Sequence, residues 1–123
     1  MLSLSRSEFE DLVRAALEGL PDRFLDRMNN VDVVVETQPT QAQLVRNRVG
    51  PGSLLLGLYE GVPLTAREHY GLVLPDKITI FQRPLESICS TPEELVRQVR
   101  DTVVHEVAHH FGIGDEKLHQ MGL

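Results

Sequence analysis

The last third of the chain contains a helical pattern with a defined start and a defined end. Apolar residues recur at three- and four-residue intervals from Leu95 to Val107, which is the spacing of one face of an α-helix. Before them, Thr91-Pro92-Glu93-Glu94 has a hydroxyl N-cap, proline at the first helical position and glutamate at the third. Gly112 follows as a residue that tolerates the left-handed conformation of a helix end. We predict a helix from Thr91 to Phe111, roughly 30 Å long.

The residues before this helix predict further helical turns and then strands. The stretch from Ser7 to Met28 has apolar residues at helical spacing, Ser7 and Glu10 as a capping box, and a break near Gly19. A run rich in β-branched residues predicts a strand within VDVVVETQP. LLLGLYEGVPL predicts a second strand with a glycine interruption, and KITIFQ, with apolar Ile78, Ile80 and Phe81, predicts the third. The polar stretch TQAQLVRNRVGPGS predicts irregular backbone or a short helix. Helices first, strands next and a long helix last indicate an α+β fold with a small twisted sheet.

Length, composition and charge exclude several classes of protein. The 123 residues are predicted to form one domain, 1–123, with a single hydrophobic core. A net charge of −6 with scattered Lys and Arg gives no basic surface, so we expect no nucleic-acid partner. No run approaches the roughly 18 apolar residues of a membrane span. The lone Cys89, predicted to be a buried thiol, and the lack of a signal-peptide pattern predict a cytoplasmic protein, although a chain whose signal had been removed would look the same.

The segment HEVAH, residues 105–109, places His105 and His109 one helical turn apart. Residues i and i+4 share a helix face, so both imidazoles can bind one metal ion. Glu106 is offset from His105 by about 100°, which in H-E-x-x-H zinc peptidases puts the carboxylate beside the water that it deprotonates. Zn²⁺ lowers the pKa of that water to about 7. The alternative is an amphipathic helix with solvent-facing histidines.

The longer stretch HEVAHHFGIGD fits H-E-x-x-H-x-x-G-x-x-D, and it resembles the extended motif of the metzincin branch of the zincins. Together with LPDKITIFQRPLE and DEKLHQMG, it is similar to the small single-domain zincin-like metallopeptidases of bacteria. The resemblance covers the second half of the chain, from Gly57 on. It implies a minimal zincin fold, with a mostly antiparallel or mixed sheet packed on an N-terminal helix and a long active-site helix.

The same resemblance implies the roles of four residues. His105, His109 and Asp115 would be the zinc ligands, and Glu106 would be the general base. The glycine of the motif has a physical reason, because the chain must leave the helix sharply for a residue six positions after His109 to return to the metal. Gly112 can adopt the positive φ of such a turn.

Alternatives remain for the third ligand and for Asp115 itself. Asp115 can instead be the N-cap of a short terminal helix. Glu116 is adjacent to it, and His119 would supply a third imidazole, although its spacing departs from the motif; a surface position is the simplest interpretation of His119.

Other residues near the motif have weaker signals. Asp101, one turn before His105, is expected to be an exposed helix charge or a carboxylate that orients that imidazole. His110 is expected to pack or face solvent. Met121 is expected in the core rather than in a Met-turn beneath the metal. His69, in a loop before the best strand, is a candidate hydrogen-bond donor to the transition state. Residues 78–82 are the candidate edge strand for pairing with an extended substrate.

The function predicted from these residues is a zinc-dependent metallopeptidase that hydrolyses peptide bonds in a peptide or protein substrate. The anionic Asp115 is expected to make the ion a weaker activator of water than three imidazoles would, and only eight residues follow the extended motif. Activity is therefore expected to be weak, narrow or dependent on a partner. The alternatives are a non-catalytic domain that binds metal or a partner, and a hydrolase of a non-peptide amide.

Overall fold

A computed structural model of the protein describes residues 1–62 and 74–123. Its helices are α1 (Arg6–Glu18), α2 (Asp22–Leu25), α3 (Gln41–Arg46), α4 (Gln82–Ser87), α5 (Pro92–Phe111) and α6 (Asp115–Gln120). Its strands are β1 (Val31–Glu36), β2 (Gly57–Glu60) and β3 (Asp76–Phe81). A short 3₁₀ turn, Asp26–Met28, extends α2. The predicted α+β class is confirmed, and no helix in the described ranges is long and apolar enough to cross a bilayer.

The three strands form one mixed sheet in the order β1-β3-β2. β1 runs parallel to β3, with Val31 opposite Asp76, and β2 runs antiparallel to it, with Gly57 opposite Ile80. β3 is therefore the central strand, and the prediction that residues 78–82 form the edge is wrong. The reason is visible in its burial, because consecutive residues from Ile78 to Phe81 are all buried, as expected of a strand with neighbours on both sides and cover on both faces. The edge strand that contacts α5 is β2.

The core lies between the sheet, α1 and α5. Phe9 on α1, Ile80 on β3 and both Val99 and Val103 on α5 are fully buried, and α1 packs directly against α5. This arrangement gives α5 a rigid support along its apolar face and leaves its other faces free to carry polar residues. Two predictions for the core are confirmed, since Met121 and Cys89 are both buried.

Burial also affects the chemistry of the single thiol. Desolvation raises the pKa of Cys89, because the thiolate would lose hydration in the apolar interior. The side chain is 1% exposed and belongs to the core cluster. A thiol of this kind is a poor nucleophile, in agreement with the structural role predicted for it.

The first helix begins two residues earlier than predicted. Ser5, not Ser7, is the N-cap, and it forms a reciprocal capping box with Glu8. Both serines are followed by glutamate three residues later, so the local sequence fits either start. A tertiary contact favours the earlier start of α1. The Leu4 amide donates to Glu86 Oε2 at 2.8 Å, and this bond fixes the residue before the Ser5 cap.

Helix α4 was not predicted, and it contains the most deeply buried acidic side chain in the described structure. Glu86 is 1% exposed. Its carboxylate accepts hydrogen bonds from the Leu4 amide, from Gln82 Nε2 at 3.2 Å and from Arg83 Nη1 at 2.7 Å. Gln82 in turn donates to the Leu4 carbonyl at 3.0 Å. These bonds attach the N-terminal segment to the end of β3.

Candidate metal centre

Helix α5 is capped as its sequence predicts, and it presents His105 and His109 on one exposed face. The Thr91 hydroxyl accepts the Glu94 amide at 3.1 Å, and Pro92 begins the helix. One turn apart, the two imidazoles line a pocket of about 350 Å³. The pocket also contains Asp101, from one turn earlier, and Asp115, from the start of α6. Two predicted nitrogen ligands and the predicted oxygen ligand therefore border the same space.

The turn after α5 brings Asp115 to this pocket. Gly112 is left-handed, with φ 67° and ψ 34°, and the Ile113 amide donates to the Ala108 carbonyl at 2.8 Å. A left-handed residue followed by this long return bond is a Schellman-type helix end. Gly114 is then the N-cap of α6, so Asp115 is the first helical residue and not the cap. The Asp115 carboxylate therefore does not cap α6, so the alternative to metal binding predicted for it is not observed.

We expect Gly112→Ala to lower the free energy of unfolding by about 1–2 kcal/mol, the cost of left-handed backbone for a residue with a Cβ. An added Cβ would meet no atom within 4 Å, so the expected loss is conformational rather than steric. Urea denaturation measures it. Gly50→Ala is the matched control, because Gly50 is not among the glycines with positive φ and has equally open surroundings. Equal losses in the two variants would contradict this account of the turn.

The donor set suits zinc, although its three members are not yet gathered into a binding geometry. Two imidazoles and one carboxylate are an established combination for Zn²⁺. Within residues 1–62 and 74–123, however, no three His, Cys, Asp or Glu side chains lie close enough together to hold an ion. The helix sets the one-turn spacing of His105 and His109, and a complete set also needs the Asp115 carboxylate, which borders the same pocket.

The two alternatives for the third ligand, Glu116 and His119, do not line the pocket of His105 and His109. Glu116 is exposed and does not line the histidine pocket, whereas His119 borders an adjoining pocket together with Asp101 and Asp115. Asp101 is exposed, and the hydrogen bonds among the described residues include none between it and His105. Its predicted orienting role is therefore not visible in this structure.

Glu106 points to the other side of His105, toward the sheet. Its Oε1 accepts a hydrogen bond from the Tyr59 amide of β2 at 3.0 Å. Glu106 and His105 line a second pocket, of about 390 Å³, between α5 and the residues that lead into β2. The predicted base is thus held by the edge strand, beside the histidine pair and outside their pocket. Sequence reasoning missed Tyr59, because its contribution is a backbone amide, which every residue other than proline has.

The side chain of Tyr59, whose amide binds Glu106, is itself held in an aromatic cluster. The Tyr59 ring stacks on His110 with centroids 3.9 Å apart, and its hydroxyl donates to Asp76 Oδ2 at 2.6 Å. Phe111 meets the His110 ring edge-on. His110 is therefore a packing residue, which is one of the two roles predicted for it. His69 and Tyr70, the loop candidates, lie outside the described residues.

Comparisons with known proteins agree with this geometry at the level of family and fold. The sequence model of a zincin-like metallopeptidase family matches residues 28–123. Among solved structures, the chain is similar to a conserved hypothetical protein from Thermo thermophilus, with 20% identity and a TM-score of 0.57. The similarity covers 88% of this chain and 94% of that one, and it supports the fold alone. No curated protein matches the chain.

Proposed function

The chain belongs to the zincin-like metallopeptidase family, and on that premise we propose that it is a zinc-dependent metallopeptidase that hydrolyses peptide bonds. One observation carries the proposal. His105 and His109 share a pocket with Asp115, while Glu106 is fixed next to His105 by the edge strand. A metal-binding face and a separately oriented carboxylate are the two parts that hydrolysis by an activated water requires.

Each residue has a distinct part in this proposal. His105, His109 and Asp115 would hold the ion. Zinc, when bound, supplies Lewis acidity that activates water and polarises the scissile carbonyl. Glu106 Oε1 is engaged by the Tyr59 amide, so Oε2 is the atom that accepts the proton of the attacking water. From Oε2 the same proton passes to the leaving nitrogen as the carbon–nitrogen bond breaks.

The proposal is tested by metal content and hydrolysis measured on the same preparation. We expect elemental analysis to find one zinc per chain, and a quenched fluorescent peptide library to be cleaved slowly. A chelator should stop the cleavage, and zinc should restore it. Cleavage that is indifferent to the chelator, or a failure to bind zinc during titration, would contradict the proposal.

We expect Asp115→Ala to weaken zinc binding by at least about 100-fold. Groups that only support metal ligands already contribute 10–100-fold, so removing a ligand should cost no less. The measurement is competition with a zinc-sensitive dye. Glu116→Ala is the matched control, since it removes an adjacent acidic side chain that does not line the pocket. The assignment fails if the two variants bind zinc equally well.

A non-catalytic domain that binds metal or a partner is the second candidate. It is favoured by the engagement of one Glu106 oxygen with the Tyr59 amide. Such a domain would bind zinc but leave the peptide library intact. Its zinc affinity and its binding function would also be unchanged by Glu106→Gln.

A further inference from the structure

Strand β1 forms one edge of the sheet, and its outer side carries backbone groups without partners. The Asp76 amide of β3 donates to the Asn30 carbonyl at 3.0 Å, so even-numbered residues direct their backbone groups toward β3. Successive residues of a strand alternate in this respect, and the amides and carbonyls of Val31, Val33 and Val35 therefore point outward. In the described part of the chain, nothing hydrogen-bonds to the outward groups of Val31 and Val33.

The third outward residue, Val35, already accepts a donor from outside the sheet. Arg6 Nη1 donates to the Val35 carbonyl at 3.0 Å, and Nη2 donates to Thr37 Oγ1 at 2.7 Å. Arg6 therefore covers the C-terminal end of the edge and leaves the part at Val31 and Val33 open. Unpaired backbone groups in such a row are a template for pairing with another strand.

A groove of about 450 Å³ lies between this edge and α1. The apolar residues that line it include Val13, Leu17, Val33 and Val35. Side chains alternate along a strand, so Asp32 and Glu36 lie on the opposite face of β1, where both are exposed. A strand added to β1 would place every second side chain against the groove and the others beside these two carboxylates.

The surface formed by α1 and β1 is acidic. The two elements contain six acidic side chains and two basic ones. Arg14 is paired with Asp11 at 3.1 Å, and Arg6 binds β1 itself. A second copy of the chain would bring the same acidic surface and a net charge of −6, so self-pairing is opposed by repulsion. A basic partner would complement the surface.

We propose that the outer edge of β1 binds an extended segment of a partner protein in which basic residues alternate with aliphatic ones. The aliphatic side chains would lie in the groove, and the basic ones would lie across from Asp32 and Glu36. The backbone would pair with Val31 and Val33 in the antiparallel sense, which is the more stable pairing per residue. β1 and β2 are opposite edges of the sheet, so this surface does not depend on the proposed function.

The experiment compares two end-capped peptides, Lys-Val-Lys-Val-Lys and Glu-Val-Glu-Val-Glu, by NMR titration of the wild-type chain at low ionic strength, where charges are least screened. Opposite charges across two strands attract and like charges repel, and two or three such pairs correspond to about tenfold in affinity. We expect the basic peptide to bind at least about tenfold more tightly, with the largest shifts at the Val31 and Val33 amides. A chelator should not alter the binding. Equal binding, no binding, or shifts centred on α5 would overturn the inference.

The charge requirement is tested by the double variant Asp32→Asn, Glu36→Gln. It should reduce the preference for the basic peptide to less than about threefold, because both facing carboxylates are lost. Glu93→Gln combined with Asp101→Asn is the matched control, since it removes the same charges from exposed positions on α5, and it should retain the preference. A preference that survives the first pair of changes would rule out the assigned partner.

Methylated peptides test the backbone pairing without changing the protein. In the proposed complex the valine amides face β1 and the lysine amides face away. N-methylation of both valines should therefore weaken binding by about tenfold, through the loss of two hydrogen bonds. N-methylation of two lysines is the control and should have a much smaller effect. Equal effects would show that the peptide does not pair as a strand.

Sedimentation equilibrium of the chain alone tests the remaining occupant of this edge, a second copy. We expect a monomer at the concentrations used in the titration, because the acidic surfaces repel one another. A dimer in which the Val31 and Val33 amides are protected from hydrogen exchange would identify a second copy as the partner and overturn the inference.

Discussion

Glu106→Gln is expected to reduce kcat for peptide hydrolysis by about 10²–10⁴-fold, the range typical of a lost general base. The change is nearly isosteric, and the glutamine carbonyl oxygen can still accept the Tyr59 amide that now binds Oε1. The helix–strand contact is therefore kept while the proton acceptor is lost. Steady-state kinetics on a peptide cleaved by the wild type, with zinc at saturation, is the measurement.

Two further observations make this result interpretable. Zinc affinity should change little, because neither histidine is altered and Glu106 lies outside the pocket that they share with Asp115. Glu93→Gln is the matched control, since it makes the same chemical change in the exposed first turn of the same helix. If Glu106→Gln retained half of the wild-type turnover, Glu106 would not be the base.

The features predicted correctly from sequence are those that depend on neighbours along the chain. The bounds of α5 follow from the Thr91 cap, the apolar repeat and Gly112, all within one helix length. The shared pocket of His105 and His109 follows from the i, i+4 geometry of that helix. Helical order is local, so a single sequence contains enough information to place these residues relative to one another.

The features that were wrong or missed depend on pairing between distant segments. The prediction that β3 is the edge strand is wrong, because its central place is set by β1 and β2, which come from two earlier parts of the chain. The bond between Tyr59 and Glu106 joins residues 47 positions apart. Backbone donors have no sequence signature, so the support of the proposed base was not predictable. The sequence Lys77-Ile78-Thr79-Ile80-Phe81 alternates polar and apolar residues up to Ile80, so the burial of Thr79 that marks β3 as central appears only in the structure.

Glu86→Ala is expected to lower the free energy of unfolding by about 3 kcal/mol, through the loss of a fully buried acceptor. Its removal leaves the Leu4 amide without its partner and leaves Gln82 Nε2 with the Leu4 carbonyl alone, and an unsatisfied buried donor costs about 1–3 kcal/mol. Arg83 adds little to this figure, because its side chain is 48% exposed and the ion pair is weakened by solvent. Urea denaturation followed by circular dichroism is the measurement.

Glu10→Ala is the matched control for this change. Glu10 is an exposed glutamate on α1, and surface substitutions usually alter stability by no more than about 0.5 kcal/mol. A loss below about 1 kcal/mol for Glu86→Ala would mean that water replaces the carboxylate and that the buried bonds contribute little.

The location of the amides that lose protection in Glu86→Ala provides a second test of the role of Glu86. Glu86 fixes Leu4, Leu4 precedes the Ser5 cap, and the cap begins α1. If this order of dependence is correct, hydrogen exchange in Glu86→Ala should accelerate first at the Leu4 amide and in the first turn of α1. The amides of α5 should remain protected until global unfolding, because Val99 and Val103 keep their buried contacts. A uniform loss of protection would show instead that Glu86 supports the whole core rather than the start of the first helix.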